Sequence, residues 1–385
     1  MRHKLLLAAL VGLALAGCTH DDGLAGGATP TPTLTQHEIA IRPFGRKMSR
    51  GYVMGTDFRQ YPGYPLARHM YLSAYNATEG TDYFISKTFG EKIVTTGDPA
   101  TPTGTGIWGA VTPTGDEANP WQPEPMYWPF GTTLDFLAYS QSYDVEPWSY
   151  VVGSRKASAG GPICPKILAN WKSANEVELE VTRDSRQDDI LYAATSGLNP
   201  SNSGTATGFS MTFDHAQAWL TFRLMLSEDS DLSSELKINS IECIGVYDCG
   251  RLTLRNEGGG KASATWNFFP QRPANVAVDY YHDELTHYLS LGHPIELNTL
   301  LPPQEHQGFI INYTMSGSSI TSKLLIPVDK LRHEGDDPEA APRWEAGVHY
   351  TYNFMFTLGK ITIAPYVTVW EGGDEASPSE PITDH

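Results

Sequence analysis

Residues 349–358 alternate at every position between aromatic or apolar side chains and mostly polar ones. The aromatic and apolar positions are Tyr350, Tyr352, Phe354, Phe356 and Leu358. Successive side chains of a β-strand point to opposite faces, whereas a helix repeats about every 3.6 residues. The pattern therefore predicts a strand that turns one face to a core and the other mostly to solvent. Such a strand must pack against a second layer.

The same period returns in residues 177–181, 218–224 and 309–313, and a further strand is predicted over residues 361–370. Helical periodicity longer than about two turns is hard to find. Charged residues make up only 18% of the chain, below the ~25% of average proteins, and long helices with ion-pair faces need more. Many short strands over 385 residues predict an all-β fold with two β-sandwiches in tandem.

A polar, Gly-rich stretch over residues 196–208 lies near the middle of the chain. It predicts a boundary between an N-terminal β-sandwich over residues 37–200 and a C-terminal β-sandwich over residues 201–372. Residues 373–385 are predicted to be an acidic tail. The alternative, a long hairpin loop within one domain, stays open.

The beginning of the chain has the pattern of an export signal. A basic start precedes an apolar run over residues 5–15, which is too short to span a ~30 Å hydrocarbon layer. The run ends in Leu-Ala-Gly-Cys at residues 15–18, which resembles the lipobox of bacterial lipoproteins. We predict a lipoprotein signal peptide over residues 1–17, an outer-membrane anchor through lipid on Cys18, and a flexible tether over residues 18–36. The alternative is an ordinary signal peptide with a chance cysteine.

Three further cysteines, Cys164, Cys243 and Cys249, follow in the exported chain. Because their number is odd, they cannot all pair internally. An extended strand would hold Cys243 and Cys249 about 20 Å apart, far beyond the ~5.5 Å of a disulfide. They can pair only if residues 245–248 turn the chain; the alternative is that they act as small buried apolar residues.

The sequence contains few candidates for catalytic, cofactor-binding or metal-binding residues. The formal net charge of −17 argues against nucleic acid as a partner. Motifs for a catalytic serine, a phosphate loop or a dinucleotide site do not occur in the sequence. His282 and His287 superficially resemble a zinc-protease motif, but five residues turn about 500° around a helix, so the two rings would diverge. His215 follows Asp214 without a nucleophile motif. We predict no enzyme, no catalytic residue, no cofactor and no metal site.

Six aromatic residues cluster within twenty positions: Trp121, Tyr127, Trp128, Phe130, Phe136 and Tyr139. Aromatic residues on strands supply large buried area, so the cluster favours a sandwich core. The alternative is a stacking platform for a sugar ligand, for which Trp121, Tyr127 and Trp128 are the candidates.

Five short motifs resemble those of the fimbrillin family and occur in the same order. They are MYWPF with LDFLAY at residues 126–139, DILYA at 189–193, FDHAQA at 213–218, LPPQ at 301–304 and WEAGVHY at 344–350. The resemblance implies two transthyretin-like β-sandwich domains and a structural or accessory subunit, stalk or tip, of a surface fimbrium that supports adhesion. The implied location is the cell outer membrane and cell surface of a Gram-negative bacterium.

The resemblance also implies how such a subunit assembles. An arginine-specific surface protease cuts the loop after the first strand, and a strand from another fimbrial subunit fills the groove that is left. In this sequence the first strand is predicted over residues 37–44, and the following loop carries Arg46 and Arg50 as cleavage candidates. Arg50 is preferred because residues 51–53 would begin the next strand. The donor is predicted to be the strand over residues 361–370.

Three alternatives stay open at this point. In the first, no protease cuts the basic loop with Arg46 and Arg50. In the second, the chain is a surface lipoprotein that binds a glycan or host protein without polymerising. An enzyme is the third class, and it would need His215 to act beside a nucleophile.

Overall fold

The computed structural model describes residues 38–45, 69–94, 103–113, 121–141, 167–182, 189–203, 208–227, 236–269, 273–278, 287–289, 294–315, 318–331, 342–357 and 360–369. All regular elements in these ranges are strands, apart from a short 3-10 helix over Val328–Leu331. The predicted all-β fold is confirmed. None of the described segments is a helix with the length and apolar character needed to cross a bilayer.

The first half of the chain supplies ten strands. They are β1 (Ile41–Gly45), β2 (His69–Asn76), β3 (Thr81–Val94), β4 (Thr103–Pro113), β5 (Trp121–Pro123), β6 (Leu134–Gln141), β7 (Leu168–Ser173), β8 (Glu176–Val181), β9 (Ile190–Leu198) and β10 (Phe209–His215).

The second half continues with eleven more. They are β11 (Ala218–Leu226), β12 (Leu236–Val246), β13 (Gly250–Gly258), β14 (Lys261–Phe268), β15 (Ala274–Ala277), β16 (His287–Leu289), β17 (Ile295–Leu301), β18 (Gly308–Met315), β19 (Thr321–Pro327), β20 (Val348–Thr357) and β21 (Lys360–Val369).

The strands form four sheets. The largest has the order β1-β10-β9-β6-β2-β3-β4-β5, and β1 also pairs with β4. Seven of its strands, β1 to β4, β6, β9 and β10, therefore close into a ring, which β1 completes. A second sheet has the order β14-β13-β8-β7. The other two have the orders β17-β11-β20-β21 and β15-β12-β18-β19, with β16 paired to β12.

Strand β6 shows how the period of two residues builds two cores at once. Leu134, Phe136 and Ala138 point into the interior of the ring, which we call the ring core. Leu137 and Tyr139 point the other way, into a second core against the sheet that contains β8 and β13. Because successive side chains alternate across a strand, one buried strand serves both layers.

The third core, the C-terminal core, lies between the two remaining sheets and confirms the alternation from which the strands were predicted. The predicted positions of β11 and β20 that lie in it are Ala218, Leu220, Phe222, Leu224, Tyr350, Tyr352, Phe354 and Phe356. Trp344 is fully buried there, and its indole Nε1 donates a 2.9 Å hydrogen bond to the Tyr352 hydroxyl. This bond satisfies the one polar atom of a large apolar side chain.

The opposite face of β20 differs from the prediction. Thr351 on β20 and Thr221 on β11 are buried, at 0% and 1% exposure. The rings of Trp219 and His349 stack with centroids 3.7 Å apart and planes 9° apart. Strand β20 lies inside its sheet, between the parallel partner β11 and the antiparallel partner β21. Side chains of the neighbouring strand, such as Trp219, cover this face, so the expectation of a mostly solvent-exposed face is wrong at this end of β20.

The division of the chain at residue 200 stays a prediction. Strand β10 follows that point and pairs with β9, which precedes it, while β13 pairs with β8. Residues beyond 200 therefore contribute to the ring and to the sheet that contains β8, as well as to the sheets around the C-terminal core. The described residues belong to a single compact unit.

Cys243 lies on β12 and is fully buried in the C-terminal core. It thus has the surroundings of a small apolar residue. Cys249 lies between β12 and β13 and is partly buried. Cys164 lies outside the described residues.

Candidate functional site at the first strand

The predicted first strand over residues 37–44 appears as an extended segment that begins with a bridge from Glu38 to Tyr127 and continues as β1. Strand β1 runs parallel to β10, with Ile41 opposite Phe209. On its other side Ile41 bridges to Trp108 of β4 in antiparallel fashion. The segment is therefore held by main-chain pairing along both of its edges.

Two hydrogen bonds show which side of the segment each residue uses. Ile39 N donates to Met126 O over 2.7 Å, and Phe209 N donates to Ala40 O over 3.0 Å. Odd-numbered positions thus direct their main-chain groups away from β10, and even-numbered positions direct theirs toward it.

Gly208 makes this close approach possible. Its φ is +75°, and a Cβ built there would lie 2.9 Å from Ala40 O. A larger residue would be strained in that conformation and would also push the first strand away. The sequence feature that permits β1 to lie tightly against β10 is therefore a glycine at the entry to β10.

Burial is complete at the start of the segment. Ile39, Ala40 and Ile41 are 0%, 2% and 0% exposed. Ile39 and Ile41 belong to the ring core together with Trp108 and Phe209. Burying an isoleucine side chain stabilises a fold by about 1.5–3 kcal/mol, so Ile39 and Ile41 together contribute about 3–6 kcal/mol to the stability of the closed ring.

The arrangement is a slot for one extended strand. It offers main-chain donors and acceptors on both sides and an apolar floor that receives every second side chain. Main-chain pairing supplies affinity in such slots, and the floor selects the side chains. Without β1, the edges of β10 and β4 would lose these pairings and the ring core would be open to water.

The candidate platform residues are divided by the structure. Trp128 is 7% exposed and packs edge-on against Phe136 and Phe209, at centroid distances of 5.7 Å and 6.1 Å. Its ring is part of the ring core and is not offered to solvent. The side chain of Trp121 lies outside the described residues, although its backbone begins β5.

Tyr127 is 48% exposed and lies at the Glu38 end of the slot. The Tyr83 hydroxyl donates a 2.8 Å hydrogen bond to the Tyr127 carbonyl oxygen. Partial burial raises the pKa of the Tyr83 phenol above its usual value, so this donor keeps its proton. Phe130, three residues on, is fully exposed. Two exposed aromatic side chains thus lie three residues apart in the chain, and Tyr127 marks one end of the slot.

His215 pairs with Asp189, the first residue of the DILYA motif, and not with its neighbour in the chain. Its Nδ1 donates a 2.9 Å hydrogen bond to Asp189 Oδ1, and both side chains are largely buried. Gln217 Oε1 accepts a 3.1 Å hydrogen bond from Ile190 N. The hydrogen bond between His215 and Asp189 links the end of β10 to the start of β9, because the register places His215 opposite Leu191. The neighbouring Asp214 is not the partner in this hydrogen bond.

A largely buried group of polar side chains lies on the sheet that contains β11 and β20. His349 Nε2 is 2.8 Å from Thr221 Oγ1. Burial, and secondarily the positive charge of Arg223, lower the pKa of His349 to about 3. Arg223 Nε in turn donates to Glu296 Oε2 over 3.1 Å. His349 is therefore neutral in the folded protein near neutral pH.

The remaining site predictions cannot be compared with this geometry. Cys18, Arg46 and Arg50 lie outside the described residues. His282 also lies outside them, while His287 begins β16. Among the described ranges, no three His, Cys, Asp or Glu side chains are grouped as a metal site requires.

Comparison with known proteins points in one direction. A family model described as fimbrillin-like matches residues 92–370, which is most of the chain; β1 lies outside the match. No curated protein matches the chain.

Several solved structures are similar to the chain. A putative cell adhesion protein from Bacteroides uniformis is 13% identical, with 87% of this chain and 98% of that one covered and a TM-score of 0.46. A fimbrial protein from Bacteroides vulgatus is 11% identical, with coverages of 87% and 99% and a TM-score of 0.43. The tip fimbrial protein Mfa3 from Porphyromonas gingivalis is 8% identical, with coverages of 86% and 100% and a TM-score of 0.38.

Proposed function

The chain belongs to the fimbrillin-like family, and from that membership we propose that it is a structural or accessory subunit of a surface fimbrium, assembled by donor-strand exchange. The members of this family are fimbrial proteins, which associate with other fimbrial subunits in an appendage at the cell surface. The finer proposal concerns export, processing and assembly of this chain. No enzymatic role is part of it.

The observation that carries the proposal is the slot around β1. Ile39 and Ile41 are fully buried, and the segment is paired on one side with β10 and on the other with β4. An intact chain fills its own slot and has no edge to offer there. A chain that has lost this strand would expose an apolar groove, which favours pairing with a strand from a neighbour.

Proteolysis would act as the switch. While β1 is joined to the rest of the chain, its local concentration is high and a strand from another molecule cannot compete with it. Cleavage after Arg46 or Arg50 would turn residues 18–46 or 18–50 into a separate peptide, which a donor strand could displace. The same cut would separate the subunit from the lipid on Cys18, and thus from the outer membrane.

Each subunit would then donate at one end and accept at the other. A head-to-tail contact of this kind does not close, so it produces a filament. The donor in this proposal is the C-terminal strand, β21, followed by the acidic tail over residues 373–385. Fimbriae built in this way would support adhesion at the cell surface.

Processing tests the proposal directly. N-terminal sequencing of protein purified from the cell surface should find a start at residue 47 or 51, accompanied by SDS-resistant polymer ladders. The double variant Arg46→Ala/Arg50→Ala should keep Cys18 as its N-terminus and remain monomeric. Lys47→Ala, within the same loop, is the matched control and should be processed normally. A wild-type start at Cys18 alone contradicts the proposal.

A second candidate function rests on the exposed aromatic residues. Tyr127, at the end of the slot, and Phe130, three residues further along the chain, present their rings to solvent, and aromatic faces of this kind stack on sugars or pack on proteins. In this alternative the chain is a surface lipoprotein that binds a glycan or host protein without polymerising. Glycan-array binding that is lost in Tyr127→Ala, from a chain that forms no polymer ladders, would favour it.

A further inference from the structure

Two segments at opposite ends of the chain have matching sequences. Residues 39–44 read IAIRPF, and residues 361–366 read ITIAPY. Both isoleucines and the proline are identical, and an aromatic residue ends each segment. The first segment occupies the slot, and the second forms most of β21.

We propose that β21 of a second copy of this chain occupies the slot in one register, with Ile361 at the position of Ile39 and Pro365 at that of Pro43. This inference rests on the proposed function and adds two things to it. It names the partner as another copy of the same chain, and it states which donor residue lies at each position of the slot.

The isoleucines carry the first part of the argument. Ile39 and Ile41 fill two positions of the ring core without any exposure. In the proposed register the donor supplies Ile361 and Ile363 at the same two positions, so the floor of the slot receives side chains of identical shape and volume. A slip of one residue would turn Thr362 and Ala364 toward the core and both isoleucines away from it.

The prolines carry the second part. Proline has no main-chain N–H, so it is tolerated in a strand only where that group is not needed for pairing. Phe209 N donates to Ala40 O. The main-chain groups of residues 40, 42 and 44 therefore point toward β10, and those of Pro43 point away from it. Pro365 in the same place leaves the pairing with β10 intact. A slip of one residue would place it where β10 needs a donor.

The outward positions differ more. Thr362 would replace Ala40, which is 2% exposed, and Ala364 would replace Arg42. Arg42 lies opposite Ser210 of β10 in the register of the slot. The match is therefore strongest at the positions that face the ring core and weakest on the outer side, as expected if the apolar floor of the slot selects the strand.

The position of β21 suits a donor. It is the last strand of its sheet and pairs with β20 alone among the described strands. By contrast, β1 is paired on both sides. Exchange of an equivalent element between identical chains needs no new kind of contact, and it gives a polymer of one component.

Directed cross-linking in a mixture of two variants tests the register. A donor chain with Ala364→Cys is mixed with an acceptor chain with Ser210→Cys, and both are treated with an arginine-specific protease. Paired residues of neighbouring strands lie ~5 Å apart, within the ~7 Å limit for a disulfide. The matched control acceptor is Thr212→Cys, which is equally exposed but two residues further along β10. That offset adds ~6.6 Å along the strand to the ~5 Å across it, so the two Cα atoms lie about 8 Å apart, beyond the limit.

We expect the Ser210→Cys acceptor to give at least about tenfold more disulfide-linked dimer than the Thr212→Cys acceptor. Processed wild-type chains, which carry only the native thiols, set the background. Equal cross-linking of both acceptors, or a preference for Thr212→Cys, overturns the register. Polymer ladders that form only when a different subunit is added overturn the choice of partner. If wild-type protein forms no ladders under any condition, the proposed function itself fails.

Discussion

Strands β1 and β21 share a sequence pattern but occupy opposite structural situations. The first is inserted between β10 and β4, and its first residue, Ile41, is buried together with Ile39 and Ala40, which directly precede it. The second lies at the end of its sheet and is paired on one side, with β20. Two segments with the same spacing of two isoleucines, a proline and an aromatic residue therefore close one sheet and extend another.

The sequence pattern alone does not decide what a strand does. Alternating isoleucines suit any apolar floor, and proline at the fifth position suits any edge that needs no donor there. Whether such a strand closes a sheet or lies at its edge depends on how many strands pair with it.

Deletion of residues 361–385 should abolish polymer ladders, because it removes the strand that we propose fills the slot of the next subunit. The measurement is an SDS gel of unheated, protease-processed protein, with size-exclusion chromatography to show that a soluble monomer remains. Deletion of residues 373–385 removes only the acidic tail and should leave the ladders. Ladders that persist after the longer deletion would contradict the role of β21 as donor.

Ile41→Ala should destabilise the intact chain by about 2–5 kcal/mol, because it leaves a cavity in the ring core. The same substitution should not change the heat resistance of the polymer, since processing removes residue 41. Denaturant unfolding of the unprocessed protein and heating of polymer ladders measure the two effects. Ser210→Ala, on the exposed side of β10, is the control and should change the stability by less than about 0.5 kcal/mol. Equal loss in both states would show that β1 stays in the polymer.

His349 should make the sheet that contains β21 sensitive to acid. The pKa of this imidazole falls from 6.5 to about 3 on folding. Below pH 6.5 the unfolded chain therefore binds a proton that the folded chain does not, and stability falls as the pH falls toward 3. The slope is at most about 1.4 kcal/mol per pH unit. Urea unfolding of wild type and His349→Gln between pH 7 and pH 4 measures it, and parallel curves for the two proteins would contradict the assignment.

Phe130→Ser should have the smallest effect. This side chain is fully exposed, so its loss should change the free energy of unfolding by less than about 0.5 kcal/mol. Thermal unfolding of the unprocessed chain checks this. A larger loss of stability would mean that Phe130 supports β1. The two neighbouring strands would then not be enough to explain how β1 is held.

Much of the strand architecture followed from local patterns. The alternation of Tyr350, Tyr352, Phe354 and Phe356 predicted β20 and its core face correctly. The same reasoning missed that Thr351 is buried, because a local pattern does not show which side chains of neighbouring strands cover a face. Tyr127 and Trp128 are adjacent in the same aromatic cluster, yet one is exposed and the other lies in the ring core.

The partners in the site were beyond reach of the sequence for a similar reason. Asp189 meets His215 because β9 and β10 pair in a particular register. Ile41 lies between Phe209 and Trp108, which are far from it in the chain. Such contacts are set by the packing of whole sheets, and no local motif records them.

Alternation in the sequence predicted several strands and their core faces, as in β11, β18 and β20, because a strand's side chains alternate whatever it pairs with. The sequence also supplied the matching patterns at residues 39–44 and 361–366. Only the tertiary structure decided that the first of these lies between two strands and the second beside one. That difference depends on long-range pairing, which links residues far apart in the chain and follows from the global packing of the cores.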